Sequence, residues 1–266
     1  MRTKKYIIDL KVLPYFGKLK MNEIKAPDIR KWQNDLLQQG YAPTYLKTIN
    51  NQVAALFNYA VRYYDLPNNP CRKAGSMGKS NADEMNFWTQ SEFSKFIDSI
   101  MNKHQSYMAF MTLYWTGMRL GELLALTVGD IDFERRTVSI TKSYQRITGR
   151  DIITEPKTPK SKRVITIPQF IAIDLQDYIN SMYGVQKKDR LFPVTKYYLE
   201  HEMQRGIKDG GIKRIRLHDL RHSHASMLVE MGFSPLEIAN RLGHEKIETT
   251  LNTYSHCLCP RNMSLC

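Results

Sequence analysis

The first eighty residues show apolar positions at α-helical spacing, and this pattern predicts three helices. These are expected at about Lys4 to Tyr15, after Pro27 to Gln39, and from Pro43 to about Tyr64. In the second, Ile29, Trp32 and Leu36 recur on one face. The segment is therefore predicted to be a small helical bundle.

The middle of the chain interrupts the helical pattern with short alternating stretches. Before them, Thr89 and Glu92 fit a capping box, and an apolar helix from Met108 to Trp115 ends at Gly117. Strands are then expected at residues 136–140, 151–154 and 163–167, forming a small antiparallel sheet. Residues 155–162 would be a hairpin tip between the second and third strands. The predicted fold class is mainly α with a small antiparallel β-sheet (α+β).

The last fifty residues return to helices with clear boundaries. One helix is predicted from His218 to Met231, where Gly232 stops it. Ser234 is suited to cap the next helix, which ends at Gly243. His244 is therefore expected just past a helix end.

Four residues in this stretch have side chains suited to an anionic phosphodiester. His218 and Arg221 are three residues apart and share a helical face, His244 follows a Leu-Gly pair, and Tyr254 comes ten residues later, near a further short helix. The guanidinium fork of Arg matches two phosphate oxygens. His donates a hydrogen bond or moves a proton, and Tyr can be a covalent nucleophile.

Two groups of residues suggest a metal site instead of a phosphodiester site. His218, His222 and His224 form a His-rich run, but no second carboxylate or Cys set lies nearby at ligand spacing. The Cys257-x-Cys259 pair beside His256 suggests zinc, but only Cys266 is left as a fourth ligand. No metal is therefore expected.

Charge and composition narrow the class of partner. The chain has a net charge of +13, and its first 80 residues hold 14 Lys and Arg against 5 Asp and Glu. This favours a polyanion, nucleic acid first. Four Cys are too few and too clustered for a disulfide framework, which indicates a reducing compartment. The sequence shows neither an apolar run long enough for a membrane span nor a signal-peptide pattern.

The ordered set His218-x-x-Arg221, Leu242-Gly243-His244 and Tyr254 resembles the C-terminal signature of the tyrosine recombinase (phage-type integrase) family. That family also requires an Arg and a Lys further upstream. Residues 116–126 resemble its first Arg box, in which Arg119 would bind phosphate and Glu122 would pair with or orient an Arg.

The required Lys is expected in the segment 155–162. Pro156-Lys157-Thr158 matches its usual setting in the family, and Lys160 and Lys162 compete for the role. The catalytic residues implied by the resemblance are Arg119, Lys157, His218, Arg221, His244 and Tyr254.

The resemblance also implies a domain organisation. Residues 1–75 would form a helical core DNA-binding (SAM-like) domain, residues 76–84 a linker and residues 85–266 the catalytic domain. The stretch from Pro67 to Ser80, rich in Pro, Gly, Asn and Lys, is itself typical of a linker. Longer family members carry a further small DNA-binding domain before the first helix, so the chain would be a short or truncated form. DNA contacts are expected from Lys47, Asn50, Asn51, Lys160 and Lys162.

The function implied by the resemblance is site-specific recombination. The protein would cleave and rejoin double-stranded DNA through a 3′-phosphotyrosyl intermediate, without metal, ATP or another cofactor, to integrate or excise a mobile element. It would act as a homotetramer on DNA in the bacterial cytoplasm or nucleoid, with accessory DNA-bending or directionality factors as further partners. Two alternatives stay open: a non-catalytic DNA-binding remnant of an integrase, and a type IB topoisomerase-like strand nicking-closing enzyme.

Overall fold

The computed structural model describes residues 2–80, 86–156, 158–248 and 250–251. The chain divides into two compact units, Met1–Glu84 and Met85–Cys266. The predicted fold class, mainly α with small antiparallel β structure, is confirmed. None of the described helices combines the length and apolar character that a membrane crossing requires.

The first unit contains the three predicted helical segments. Their bounds are α1 Arg2–Ile7, continued by a π-helical turn Ile8–Val12 and α2 Leu13–Phe16, then α3 Ala26–Gln38 and α4 Pro43–Tyr63. Their apolar faces meet in a core that includes Ile29, Trp32, Ile49 and Phe57. The amphipathic pattern of the sequence is thus the pattern of burial.

The predicted linker, residues 76–84, begins before the packed part of the first unit ends. A fourth helix, α5 Pro70–Ala74, lies within the stretch from Pro67 to Ser80. Cys71, Ala74 and Met77 are buried in the core of the first unit. The Lys79 N–H also donates to the Pro43 carbonyl at 3.2 Å. Residues up to Lys79 therefore belong to the first unit, because Pro, Gly and Asn here shape a packed turn rather than a tether.

In the second unit, α7 packs against helices that precede it and helices that follow it along the chain. Its helices are α6 Gln90–Ile100, α7 His104–Thr116, α8 Leu120–Ala125, α9 Gln169–Asn180, α10 Lys196–Gly210, α11 Asp219–Glu230 and α12 Pro235–Leu242. Phe110 and Tyr114 of α7 are fully buried in the main core. The capping boxes predicted at Thr89 and Ser234 are both present.

The β structure differs from the expected sheet. Strands β1 Ile131–Asp132, β2 Thr137–Ile140 and β5 Arg163–Thr166 form an antiparallel sheet, and β3 Ser143–Ile147 pairs with β4 Arg150–Thr154 in a separate hairpin. The hairpin turns at Thr148 and Gly149, both with positive φ.

The prediction that residues 155–162 form a hairpin tip is therefore wrong. Strands β4 and β5 lie in different sheets, so the segment joins the two sheets and includes a 3₁₀ turn, Pro159–Ser161. The error arose because β3, with its mostly exposed polar residues, gave no apolar alternation.

Candidate active site

Arg119 is held at the start of a helix by the turn that precedes it. Helix α7 ends at Gly117, which has a φ of 63°, and Arg119 is the N-cap of α8. A Cβ at Gly117 would lie 2.4 Å from the His224 ring, so the tight approach requires glycine. The Arg119 N–H donates to the Glu122 carboxylate at 2.8 Å. This contact fixes the backbone from which the Arg119 side chain projects.

Glu122 joins two arginines below the surface. Its buried carboxylate accepts from Arg119 Nη1 at 2.9 Å and from Arg163 Nη2 at 2.9 Å and Nη1 at 3.2 Å. Burial opposes ionisation, but the hydrogen bonds and charge of Arg163, and then those of Arg119, hold the Glu122 pKa below its ordinary value. Glu122 therefore stays ionised and orients Arg119.

Three arginines from separate parts of the chain donate to three consecutive carbonyls at the end of α12. Arg163 Nε reaches the Arg241 carbonyl at 2.8 Å, Arg221 Nη2 the Leu242 carbonyl at 2.6 Å, and Arg119 Nη2 the Gly243 carbonyl at 3.4 Å. The last carbonyls of a helix lack helical partners and carry its negative dipole end, which favours cations. We call this set, the three arginines and residues 241–243, the arginine clamp.

Arg221 is the buried member of the arginine clamp, with 4% of its surface exposed. Besides the Leu242 carbonyl, it donates through Nη1 to the Gly117 carbonyl at 2.9 Å. It thus ties the end of α7 to the end of α12.

His244 follows the arginine clamp directly, because Gly243 ends α12 in a left-handed conformation with a φ of 69°. Its Nδ1 lies 2.7 Å from the Thr250 hydroxyl. Desolvation, followed by the charges of Arg221 and Arg119, lowers the pKa of His244 to about 4. The imidazole is therefore neutral at pH 7.

His218 directly precedes α11 and, like Arg119, lines a cavity of about 750 Å³. Its ring meets the His222 ring edge-to-face at a centroid distance of 5.3 Å. Loss of water contact and the charge of Arg221 hold the His218 pKa below its ordinary value. His218 is therefore mainly neutral at pH 7, the form in which an imidazole can accept a proton.

Comparisons with known proteins show to which family the chain belongs. Residues 86–259 match the model of the phage integrase family, and residues 1–37 match the phage integrase N-terminal SAM-like domain. The ICEBs1 integrase of Bacillus subtilis (strain 168) is 30% identical over 96% of this chain and 73% of its own length.

The chain belongs to the phage integrase family.

Other relatives and solved structures support the assignment. A XerC-like tyrosine recombinase of Caldanaerobacter subterraneus is 26% identical over 90% of this chain and 69% of its own length. The Tn1549 transposon integrase, solved with transposon right end DNA, has the same fold with a TM-score of 0.79, at 22% identity over 96% of this chain and 89% of that one. A lambda integrase dimer bound to a COC′ core site gives a TM-score of 0.68, at 17% identity over 93% and 88%.

In this phage integrase family chain, four of the residues predicted for the site lie in one hydrogen-bonded neighbourhood. Arg119 and Glu122 are paired, Arg221 and Arg119 share the end of α12, and His244 follows that end. Lys157 and Tyr254 lie outside the described residues. A second cavity of about 430 Å³ is lined by Arg119, Glu122 and Gly243 and by residues on both sides of position 157.

Two functional neighbours were missed by sequence reasoning. Arg163 was interpreted only as the first residue of a strand, and Thr250 was not considered. Neither residue belongs to a local motif. Arg163 is 41 residues from Glu122 along the chain, and the β-sheet brings the two side chains together. The one available signal is an Arg that opens a strand of β-branched residues.

The predicted DNA-contact residues differ in burial and in their hydrogen-bond partners. Asn50 is buried, accepts from Gln33 at 2.8 Å and donates to Ser76 at 3.2 Å, so the prediction that it reaches DNA is wrong. Its position on α4 faces the core, whereas the polarity of Asn suggested the surface. Lys47 donates to Ser76 at 2.7 Å, and Asn51 is exposed.

The two lysines near the site also have protein partners. Lys160 donates to the Glu245 carbonyl at 3.0 Å, and Lys162 pairs with Glu155 at 2.9 Å. Both are exposed, so DNA contact by these two lysines stays a prediction. Within the described ranges, no three His, Cys, Asp or Glu side chains are grouped so that they could hold a metal ion.

Replacing Glu122 with Gln should destabilise the second unit. Two arginines would lose their shared counter-charge in a buried site, and we expect the free energy of unfolding to fall by about 3 kcal/mol. Urea unfolding followed by tryptophan fluorescence measures this. Glu200→Gln is the matched control: Glu200 pairs with Lys196 on the surface of α10, and its loss should cost under about 0.5 kcal/mol. Equal midpoints for the two variants would contradict the buried role of Glu122.

Acid should destabilise the protein through its buried histidines. His224 is fully buried and accepts from Arg241 at 2.9 Å; desolvation and the Arg241 charge lower its pKa to about 3. Unfolded His takes up a proton near pH 6.5, so stability present above that pH is lost as pH falls toward 3. We expect a slope of about 1 kcal/mol per pH unit from this residue between pH 6 and 4.

Urea midpoints of wild type and His224→Gln, measured across that pH range, test this. The Gln oxygen can still accept from Arg241 but does not titrate, so the variant should show the shallower dependence. An unchanged slope would show that the His224 environment does not disfavour protonation.

Proposed function

We propose that this chain is a site-specific DNA recombinase that cleaves and rejoins DNA through a 3′-phosphotyrosyl link, for integration or excision of a mobile element. Membership of the phage integrase family supports this, as do relatives named integrase. The observation that carries the proposal is the convergence of Arg119, Arg221 and His244 at the end of α12. Two guanidiniums and an imidazole there suit the oxygens of one phosphate.

Each of these residues has a role that follows from its chemistry. Arg119 and Arg221 bind the non-bridging oxygens, and neutral His244 donates a further hydrogen bond to them. Negative charge grows on these oxygens as the phosphorus becomes five-coordinate, so preorganised donors lower the barrier. Glu122 and the carbonyls of the arginine clamp hold Arg119 and Arg221 in place before DNA arrives, which avoids reorganisation during the reaction.

Bond making and breaking require three further groups, the side chains of Tyr254, His218 and Lys157. The Tyr254 phenol attacks phosphorus and its proton passes to a base, a role in which His218 assists. The bond from phosphorus to the 5′-oxygen breaks, and Lys157 protonates that oxygen. A 5′-hydroxyl from a partner strand reverses these steps and releases the tyrosine. The covalent link keeps the phosphodiester energy, so no nucleotide is consumed.

Strand exchange between two duplexes needs four cleavage sites, so we infer that the chain acts as a tetramer on DNA. One of the structural neighbours is a lambda integrase tetramer bound to a Holliday junction. Accessory DNA-bending or directionality factors would select between integration and excision. The reaction takes place where the bacterial DNA is, in the cytoplasm.

The test is a suicide substrate, a duplex core site nicked so that the cleaved fragment diffuses away. The ends of the element that carries this gene supply the site. We expect a DNA-linked protein band on a denaturing gel, unaffected by EDTA, because the cations are side chains. A synthetic Holliday junction built from the same site should be resolved to duplexes. Binding without a covalent band would favour a non-catalytic remnant, and nicking and closing without resolution would favour topoisomerase-like chemistry.

A further inference from the structure

The His244 ring is hydrogen-bonded to Thr250, a residue with no role in the proposed mechanism. Nδ1 of His244 lies 2.7 Å from Oγ1 of Thr250, which has no exposed surface. Thr250 belongs to a helical stretch that includes residues 247–248 and 250–251. The hydrogen bond therefore lies on the side of the ring that faces the protein, which leaves Nε2 as the nitrogen available to a substrate.

The direction of this hydrogen bond follows from the surroundings of the threonine. A helical Thr usually donates to a carbonyl three or four residues earlier, here Ile247 or Lys246. Among the described residues, the Thr250 hydroxyl bonds only to His244. A buried hydroxyl proton without an acceptor costs about 1–3 kcal/mol. The hydroxyl therefore donates, and Nδ1 accepts.

We propose that Thr250 is a positioning residue that fixes His244 as the tautomer with its proton on Nε2, so that the ring donates to a non-bridging oxygen of the scissile phosphate. This rests on the proposed function. A neutral imidazole has one N–H only, and the other tautomer would present a lone pair to an anionic oxygen. The lowered His244 pKa is consistent with a ring that relies on its tautomer rather than on a positive charge.

The experiment combines a spectroscopic and a kinetic readout on the full-length chain. Protein labelled with ¹⁵N-histidine gives separate NMR signals for protonated and unprotonated ring nitrogens, and His244→Gln identifies the His244 pair. In wild type at pH 7 we expect Nε2 protonated and Nδ1 unprotonated. Thr250→Val, which removes the hydroxyl at nearly constant volume, should mix the tautomers and slow single-turnover cleavage about 10- to 100-fold.

Two further variants separate positioning from folding. Thr250→Ser keeps the hydroxyl and should restore both the tautomer and most of the rate. Thr112→Val is the matched buried control, since the Thr112 hydroxyl donates to the Met108 carbonyl at 2.7 Å within α7. It should leave the His244 signals unchanged.

A protonated Nδ1 in wild type, or an unchanged tautomer and rate in Thr250→Val, would overturn the proposal. The NMR measurement needs no DNA, so it reports on the tautomer even if the suicide substrate yields no covalent product. The absence of a covalent product would count against the proposed function and not against the hydrogen bond.

Discussion

Replacing Tyr254 with Phe is expected to abolish covalent capture of DNA and leave binding to the core site unchanged. The phenol oxygen is the atom that would form the bond to phosphorus, and Phe differs from Tyr by that atom alone. No other hydroxyl in the proposed mechanism can replace it. The measurement is the DNA-linked band on a denaturing gel with a suicide substrate, beside a gel-shift titration of the same site.

Tyr183→Phe is the control for removing a phenol oxygen. Tyr183 is fully exposed in the turn after α9 and should be replaceable without effect on the covalent band. If Tyr254→Phe still captured DNA, the nucleophile would have to be another residue. If it lost both capture and binding, the substitution would be acting on the fold.

Arg221→Lys is expected to lower the single-turnover cleavage rate by about 10² to 10³, the usual effect of losing one preorganised donor. Arg221 is buried and its planar fork already bridges the Gly117 and Leu242 carbonyls. An ammonium cannot reproduce the geometry that serves both carbonyls and a phosphate oxygen. One carbonyl would be left without its donor, which should cost about 1–3 kcal/mol of stability.

The two effects of Arg221→Lys can be measured separately. Urea midpoints report the stability, and rates are compared at a temperature where both proteins are folded. Arg135→Lys is the control, since Arg135 is exposed and pairs only with Asp132 in the described structure. Wild-type cleavage by folded Arg221→Lys would remove Arg221 from the site. Weaker DNA binding with unchanged chemistry would limit it to a ground-state contact.

Local signals located most of the helices. The capping boxes at Thr89 and Ser234 and the glycines at 117 and 243 each act within a few residues of themselves, so the sequence shows them directly. The same locality placed Arg119 before a helix and His244 after one. These positions needed no knowledge of the tertiary structure.

Non-local pairing was where the predictions failed. Strand β5 pairs with β2 rather than with β4, the strand that precedes it, and the order of the strands along the chain does not reveal this. The same holds for α5, whose composition is that of a linker although Cys71 and Ala74 are buried. Hydrophobic alternation and composition indicate which residues are exposed to water. Whether a short or irregular element is buried depends on the elements packed against it, and these local signals do not show them.

The sequence by itself determined the helices, their ends and the ordered set of residues predicted for the site, because spacing, caps and residue chemistry are local properties. Only the tertiary structure decided that Glu122 is shared between Arg119 and Arg163 and that Arg221 ties two helix ends together. It also decided that Asn50 faces the core and that His244 has Thr250 behind it. The reason is that a side chain's partner, burial and protonation state depend on residues distant in sequence that folding brings within a few ångströms.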